Sequence, residues 1–189
     1  MTRQQAGIMS SSFVPEGRNY PQLFVALDEA IDALLSAADG GNPVQASFEN
    51  VAEGFGAEKA IVLGVSDDGE LRSLAARGLS PDEITACEAG QSVPGVSSSK
   101  IREALDKRNP VLVQDPRHIA EGNLTKALQG QAFSIICAPI LDPERTRTLA
   151  VFYAQNSGFA NAFGEIDLSF IEVWSHVMGR ILAAHSRGK

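Results

Sequence analysis

Histidine and cysteine are the residue types best suited to chemistry in this chain, and both are scarce. The histidines are His118, His176 and His185, and the cysteines are Cys87 and Cys137. His118 follows an Asp-Pro-Arg sequence in a predicted loop, where its side chain could enter a pocket; a solvated loop side chain is the alternative. His176 and His185 lie on opposite faces of one predicted helix, which excludes a shared metal ion.

The two cysteines are expected to be free thiols, because a chain of this size needs no disulfide. Cys137 lies between apolar neighbours in a predicted strand, where cysteine behaves as a small buried hydrophobe. Cys87 has no lysine or arginine close enough in sequence to lower its pKa. The serine-rich segment Gly95–Lys100 lacks the Gly-Lys-Ser/Thr ending of a phosphate-binding loop, and no other catalytic signature occurs. We therefore predict no catalytic residue, no metal site and no cofactor.

The composition is that of an ordinary globular protein. The 189 residues are 44% hydrophobic and 21% charged, which favours one well-cored domain. The net charge of −7 and the pI near 5.0 argue against direct contact with nucleic acid. No apolar run approaches the roughly 20 residues that span a bilayer, and the N-terminus lacks a signal-peptide core. We therefore expect a cytoplasmic protein that makes no membrane contact.

Apolar spacing predicts long helices near both ends of the chain. One helix begins at Pro21 and ends before Asp39, and a second has Asn42 as its N-cap and continues to Gly56. A final helix from about residue 164 to 185 carries two apolar lines, which together are wider than the roughly 100° stripe of a surface helix. The excess predicts a helical partner, either the first helix or a second copy of the chain. The two lines are Ile166, Phe170, Val173, Val177, Ile181 and Ile171, Trp174, Met178, Leu182.

The segments between these helices are typical of strands and short helices. Asp67-Asp68-Gly69 predicts a hairpin turn, and Ser80 and Ser97 or Ser98 are predicted N-caps. A short helix is expected over Leu124–Leu128, and residues 1–18 are expected to form a flexible tail. The predicted strands are Ala60–Val65, Leu71–Ala76, Val111–Gln114, Ser134–Ile140 and Thr148–Ala154.

Four segments resemble the GAF domain family: Val96–Ile101, Asn109–Asp115, Ser134–Ile140 and Leu149–Tyr153. They are similar in particular to GAF domains N-terminal to the AAA+ motor of sigma-54-dependent (enhancer-dependent) bacterial transcriptional activators. The resemblance implies one domain over residues 19–187 with an α/β (α+β) fold. Its central antiparallel sheet would have five to six strands, with the N- and C-terminal helices on one face and short helices and loops over a pocket on the other.

The resemblance also implies a function. GAF domains are mostly regulatory, so we expect a sensory domain without enzymatic activity that binds a small molecule and controls a downstream output domain in cis through the helices of a homodimer. The Asn-Lys-Phe-Asp-Glu motif of cyclic-nucleotide-binding GAF domains is absent, which weakens any assignment to cyclic nucleotides. Two alternatives are a degenerate GAF scaffold for dimerisation or protein interaction without a ligand, and an enzyme like the thiol-dependent methionine sulfoxide reductases. Two cysteines 50 positions apart fit the latter poorly.

The same analogy gives candidate site residues. The ligand pocket would be lined by strands and loops under the helix at residues 98–107, with simple core filling as the alternative for its apolar members. The expected ligand-binding residues are Val113, Asp115, His118, Leu124, Ser134, Ile136 and Tyr153. The expected dimer-interface residues are Leu27, Ile31, Ile171, Trp174, Met178 and Leu182.

Overall fold

The computed structural model describes residues 20–37, 42–114, 134–157 and 162–187. Within these ranges the fold is α+β, as predicted, with five helices and a five-stranded sheet. The predicted tail over residues 1–18 and the predicted helix at 124–128 lie outside the described residues. The elements in chain order are α1 (Tyr20–Ala37), α2 (Pro43–Gly54), β1 (Lys59–Val65), β2 (Leu71–Arg77), α3 (Pro81–Glu88), α4 (Ser98–Lys107), β3 (Val111–Val113), β4 (Ser134–Leu141), β5 (Thr148–Asn156) and α5 (Glu165–Arg187).

The sheet has the strand order β2-β1-β5-β4-β3, and every neighbouring pair is antiparallel. Tyr153 of the central strand β5 is paired with Ile61 on one side and with Cys137 on the other. Successive side chains of a strand point to opposite faces. Tyr153 and its two neighbours therefore share one face, while Phe152 and Ala154 belong to the other.

The two faces have different covers. The face of Phe152 packs against α1, α2 and α5, and the face of Tyr153 packs against α3 and α4. Trp174 of α5 is fully buried against Phe152, with ring centroids 5.5 Å apart, and its indole N–H donates to the Ser47 hydroxyl at 3.3 Å. The predicted arrangement of terminal helices on one face and short helices on the other is thus confirmed.

Half of the six residues predicted for a dimer interface lie in the core of the monomer, together with Phe170 and Ile181 of the other apolar line of α5. Ile171, Trp174 and Met178 are fully buried there, and none of them is accessible to a second copy. Leu27 and Leu182 are partly buried against the same core. These side chains point inward because, among the described elements, α1, α2 and α5 cover the apolar face of the sheet to which Phe152 belongs.

Exposed apolar side chains form a continuous strip along α1 and α5. On α1 the strip contains Phe24, which is 61% exposed, with half-buried Ile31 and exposed Leu35 on the same helical line. On α5 it contains Ile166 and Val173, which are 39% and 50% exposed. The ring of Phe24 also meets Phe170 of α5 with centroids 4.4 Å apart, which joins the two halves. We call these five residues, Phe24, Ile31, Leu35, Ile166 and Val173, the apolar strip.

Glycine allows α5 to approach β4 closely. A Cβ atom on Gly179 would overlap the carbonyl oxygen of Leu141 at the end of β4. Gly179 is therefore the point at which the last helix is fixed to the sheet. None of the helices in the described ranges is both long and apolar enough to cross a membrane.

Candidate functional site

A cavity of about 820 Å³ lies on the α3–α4 side of the sheet, at the end where two strand connections meet. One wall is the side of α4 that carries Ile101, Arg102 and Leu105. The facing wall is the C-terminal end of α3, with Cys87 and Glu88. The β1–β2 and β4–β5 turns close the end of the cavity. Small-molecule pockets in proteins have volumes of roughly 300–1,000 Å³, so this space is of the right size for a ligand.

The start of α3 is fixed by a capping box and by one lysine. The Ser80 hydroxyl accepts the Glu83 N–H at 3.3 Å, and the Glu83 carboxylate accepts the Ser80 N–H at 2.8 Å. The Lys59 ammonium of β1 donates to Glu83 at 2.7 Å and to the Pro94 carbonyl at 2.8 Å. Its hydrogen bond lowers the pKa of Glu83. Lys59 thus connects the start of α3 to the loop that leads into α4.

The start of α4 is fixed by Tyr153. The Tyr153 hydroxyl donates to the Gly95 carbonyl at 3.2 Å and accepts the Ser97 N–H at 3.1 Å. The side chain is 1% exposed, and burial raises the pKa of its hydroxyl well above the ordinary value. The hydroxyl therefore holds the backbone before α4 against the sheet.

The cavity lining has mixed charge, and two of its ionic groups are held by other parts of the chain. A Glu88 carboxylate oxygen accepts the Ser73 N–H of β2 at 2.7 Å. The Arg147 guanidinium of the β4–β5 connection pairs with Asp67 of the β1–β2 turn at 2.6 Å. This second pair links the two turns that close the cavity. Arg102 makes no ion pair with any residue in the described ranges.

Both thiols are poor nucleophiles. Cys87 is 2% exposed at the edge of the cavity, and burial, reinforced by the charges of Glu83 and Glu88, raises its pKa to about 11. Cys137 is fully buried in β4, and burial raises its pKa even further. Because the thiolate is the reactive form, little of either cysteine is reactive near neutral pH.

The structure does not bring the predicted ligand residues together. Ser134 is buried, donates to the Val113 carbonyl at 3.1 Å and accepts the Phe163 N–H at 3.1 Å, so its hydroxyl is used to join β3, β4 and the start of α5. Ile136 was predicted to line the same pocket as Tyr153 but lies on the opposite face, in the core under α1, α2 and α5. The two side chains point to opposite faces because Ile136 pairs with Ala154, the neighbour of Tyr153, and successive side chains of a strand alternate between faces.

The cavity is lined by residues that the sequence interpretation missed. None of the predicted residues in the described ranges, Val113, Ser134, Ile136 and Tyr153, belongs to its lining. Asp115, His118 and Leu124 lie outside the described residues. Ser98, Ile101, Arg102 and Leu105 follow the i, i+3, i+4, i+7 spacing of one helical face, which was a usable signal on α4. Glu88 and Arg147 come from a helix end and a turn, where no comparable pattern exists.

Comparison with known proteins agrees with this architecture. The family model of the GAF domain matches residues 44–182, which is most of the chain. The antiparallel sheet with long helices on one face and short helices beside a cavity on the other defines an α+β domain. The chain belongs to the GAF domain family. GAF domains are typically sensory or regulatory modules.

Solved structures with the same fold come from proteins with different roles. The GAF domain of an Acinetobacter phosphoenolpyruvate-protein phosphotransferase is 15% identical, with a TM-score of 0.63 over 88% of this chain and 96% of that one. The A. aeolicus nlh2 GAF domain in an inactive state is 12% identical, with a TM-score of 0.59 over 86% and 99%. The free methionine-R-sulfoxide reductase of Neisseria meningitidis is 17% identical, with a TM-score of 0.59 over 86% and 92%. At such identities the likeness concerns the fold alone. No curated protein sequence gives a significant match.

Proposed function

We propose that this chain is a regulatory sensory domain that binds a small molecule in the cavity between α3 and α4 and controls a downstream output domain in cis. The observation that carries the proposal is the cavity itself, with its volume of about 820 Å³ and its apolar, polar and charged lining. Such a mixture is usual for ligand sites, where apolar walls bury the ligand and a few polar groups orient it. The domain has no catalytic role in this proposal.

The route to the output domain is a homodimer formed through the apolar strip. Contiguous exposed apolar surface on two adjacent helices marks a protein interface more often than isolated apolar residues do. In the proposal, α1 and α5 of one copy pack against those of a second copy in a helical bundle. Binding of a ligand would then change the arrangement of the paired α5 helices, which lead toward the next domain.

The specific output that we favour is a sigma-54-dependent transcriptional activator. The support is the similarity of Val96–Ile101, Asn109–Asp115, Ser134–Ile140 and Leu149–Tyr153 to GAF domains of that group. A phosphotransferase or a sensor kinase is an alternative output, since GAF domains of such proteins share the fold. The sequence of the gene downstream of this segment decides between them.

Native mass spectrometry of the freshly purified chain tests ligand binding and dimerisation together. We expect a dimer with a discrete added mass that is released on denaturation. Leu105→Trp places a large ring in the cavity and should abolish the added mass, while Val25→Trp at an exposed site on α1 should retain it. A bare dimer, with no response to any small molecule in a thermal-shift screen, would contradict ligand binding.

Dimerisation has its own matched pair of variants. Val173→Glu introduces a charge into the apolar strip, and Val25→Glu introduces the same charge at a similarly exposed valine about 100° around α1 from Phe24. We expect Val173→Glu alone to shift the population to monomer in sedimentation, with unchanged circular dichroism. A wild-type monomer at micromolar concentration would refute the dimer, whatever the ligand result.

Two specific observations support alternative functions. The hydroxyls of Tyr153 and Ser134 are already bonded within the protein, which favours a scaffold without a ligand. The fold shared with a free methionine-R-sulfoxide reductase and the thiol at the edge of the cavity favour an enzyme, but the raised pKa of Cys87 opposes it. Turnover of methionine sulfoxide that is lost with Cys87→Ala or Cys137→Ala would establish the enzyme.

A further inference from the structure

A second, smaller pocket of about 50 Å³ lies where α5 passes the end of β4. Its walls come from the middle of α5, from β4 with its turn toward β5, and from the connection between α4 and β3. This side of β4 is accessible because β3 pairs only with residues 135–137, so the rest of β4 has no described strand on that edge. Of the described residues that line the α3–α4 cavity, only Arg108 also lines this pocket.

The pocket is lined by a buried hydroxyl that has no hydrogen-bond partner. Ser175 of α5 is 4% exposed, and its Oγ atom makes no hydrogen bond with any residue that the structure describes. Buried polar groups in native proteins nearly always bond to protein, to ordered water or to an ion, so an exception indicates a further partner. A water molecule needs roughly 10–15 Å³ of such space. The pocket therefore has room for about four oxygen atoms.

Two arginines with an unusual backbone conformation line the same pocket. Arg108 and Arg145 have φ angles of 51° and 57°, and no other non-glycine residue in the described ranges has a positive φ. Arg108 is the C-cap of α4. Arg145 lies in a turn in which its N–H donates to the Asp142 carbonyl at 2.9 Å. Both side chains are exposed at the mouth of the pocket, and neither guanidinium pairs with a described carboxylate.

Three other ionisable side chains line the pocket. Asp142 is already used by the turn, because its carboxylate accepts the N–H groups of Arg147 and Thr146 at 3.0 and 2.7 Å and the Thr146 hydroxyl at 2.8 Å. These hydrogen bonds lower the pKa of Asp142. His176 can donate a ring N–H. Glu172 is exposed and pairs with no described cation, so its carboxylate can accept a hydrogen bond.

The lining thus offers several donors and one carboxylate acceptor, which suits an anion that keeps a hydrogen atom of its own. Hydrogenphosphate has oxygen atoms that accept from guanidinium and hydroxyl groups, and near neutral pH it retains at least one P–OH group. Sulfate has the same shape, but it has no hydrogen atom to donate and would meet Glu172 as a like charge. The four oxygens of phosphate also match the size of the pocket.

We propose that this pocket binds inorganic phosphate, held by Arg108 and Arg145, with the Ser175 hydroxyl donating to one oxygen and Glu172 accepting the P–OH hydrogen. Arginine binds phosphate oxygens with charge-assisted and often paired hydrogen bonds. The bound ion would connect the end of α4 to the middle of α5. This site goes beyond the proposed function, because it is a second site with a different ligand from that of the α3–α4 cavity.

The test is isothermal titration of the purified chain with inorganic phosphate in a phosphate-free chloride buffer. We expect a dissociation constant below about 1 mM. Sulfate and glycerol phosphate should each bind about tenfold or more weakly, because near neutral pH most of either anion lacks the hydrogen that Glu172 accepts. Absence of phosphate binding would show that the pocket holds water only and would overturn the inference. Equal or tighter binding of sulfate or of the ester would overturn it as well.

A matched pair of arginine variants connects the binding to the pocket. Asparagine adopts a positive φ more readily than arginine, so Arg145→Asn retains the turn and removes the guanidinium. We expect it to weaken phosphate about tenfold or more. Arg180→Asn makes the same change at an exposed arginine of α5 outside the lining and should leave the affinity unchanged. Equal affinity in Arg145→Asn and wild type would refute the assignment.

Ser175→Ala gives a readout that a purely structural role would not produce. Without phosphate, the variant should melt at or above the temperature of the wild type, because it removes a buried hydroxyl without a partner. With phosphate, the increase in melting temperature should be smaller in Ser175→Ala than in wild type. The same increase in both proteins would show that the hydroxyl does not contact the ion and would contradict the proposed geometry.

Leu105→Trp separates this site from the α3–α4 cavity. Phosphate binding that Leu105→Trp removes and Arg145→Asn retains would place the ion in the other cavity and overturn the inference. Failure of phosphate to bind would leave the proposed sensory function standing, because that function is tested by the molecule retained in the α3–α4 cavity.

Discussion

Replacement of Tyr153 by phenylalanine should destabilise the domain and loosen the start of α4 in particular. The hydroxyl makes two hydrogen bonds, a partly buried one to the Gly95 carbonyl at 3.2 Å and a buried one from the Ser97 N–H at 3.1 Å. Tyr153→Phe retains the ring but leaves both backbone groups without this partner. An unsatisfied buried polar group costs about 1–3 kcal/mol, and small rearrangements recover part of it. We therefore expect a loss of about 2 kcal/mol in the free energy of unfolding, or about 4–8 °C in the melting temperature.

The assay is urea unfolding followed by the fluorescence of Trp174, the single tryptophan of the chain, which is fully buried. The midpoint should fall while the slope of the transition stays unchanged, because the surface exposed on unfolding is the same. Hydrogen exchange gives the local readout, and the Ser97 amide should exchange faster in Tyr153→Phe by more than the global loss explains. A loss below about 0.5 kcal/mol, or unaltered exchange at Ser97, would refute the role assigned to the hydroxyl.

Three further predictions concern the packing of α5, the thiols and the capping of α3. Gly179→Ala should destabilise the protein by about 2 kcal/mol or more in urea unfolding, because the new Cβ atom would overlap the Leu141 carbonyl oxygen. Helix propensity alone would instead raise the free energy of unfolding by about 1 kcal/mol, and that result would contradict the close contact. Burial raises the pKa of both thiols, so the unfolded state loses its thiol protons before the folded state does as pH rises. The free energy of unfolding should therefore fall from about pH 8.5 upward, and it should fall less steeply in a Cys87→Ala/Cys137→Ala double variant. Parallel curves of stability against pH for the two proteins would contradict this. Glu83 has a lowered pKa, so its contribution to stability is present above the pKa of the unfolded state and is lost as pH falls through the pKa of the folded state. Glu83→Gln should therefore be less stable than wild type by about 1 kcal/mol at pH 7, and the difference should shrink steadily as the solution is acidified. A pH-independent difference would contradict the ionic origin.

Local patterns made most of the fold predictable. Asn42 and Ser80 are N-caps in the structure, with the hydrogen bonds that their sequence contexts predict. The β4–β5 pair follows from two β-rich runs joined by a turn, and its antiparallel register agrees with that interpretation. These features depend on residues close together in the chain, so a single sequence contains the information.

The division of α5 between core and surface was not predictable from the sequence in the same way. Its two apolar lines are chemically alike, and only the position of the sheet decides that Trp174 faces inward while Val173 is half exposed. The predicted interface contained the inward line because the sequence shows the width of the apolar surface but not its orientation. The homodimer that we propose therefore uses the apolar strip instead.

The candidate site was least predictable because its walls come from distant parts of the chain. The tertiary fold brings to one cavity Glu88 at the end of α3, Arg102 on α4 and the Arg147–Asp67 pair of two turns. Tyr153 and Ser134, which the family analogy selected, instead form hydrogen bonds to the backbone and do not line the cavity. These two side chains also connect the surroundings of the cavity to the rest of the domain, since Tyr153 fixes the start of α4 and Ser134 joins β3 to the segment before α5.

A ligand that draws α3 and α4 together therefore acts on helices that are bonded to the central strands, and through those strands on the packing of α5. On this argument, Tyr153→Phe should weaken the coupling between ligand binding and dimerisation even though Tyr153 does not line the cavity. Sedimentation with and without a ligand found by native mass spectrometry or thermal-shift screening measures that coupling, and equal ligand dependence in wild type and Tyr153→Phe would show that the signal takes another route.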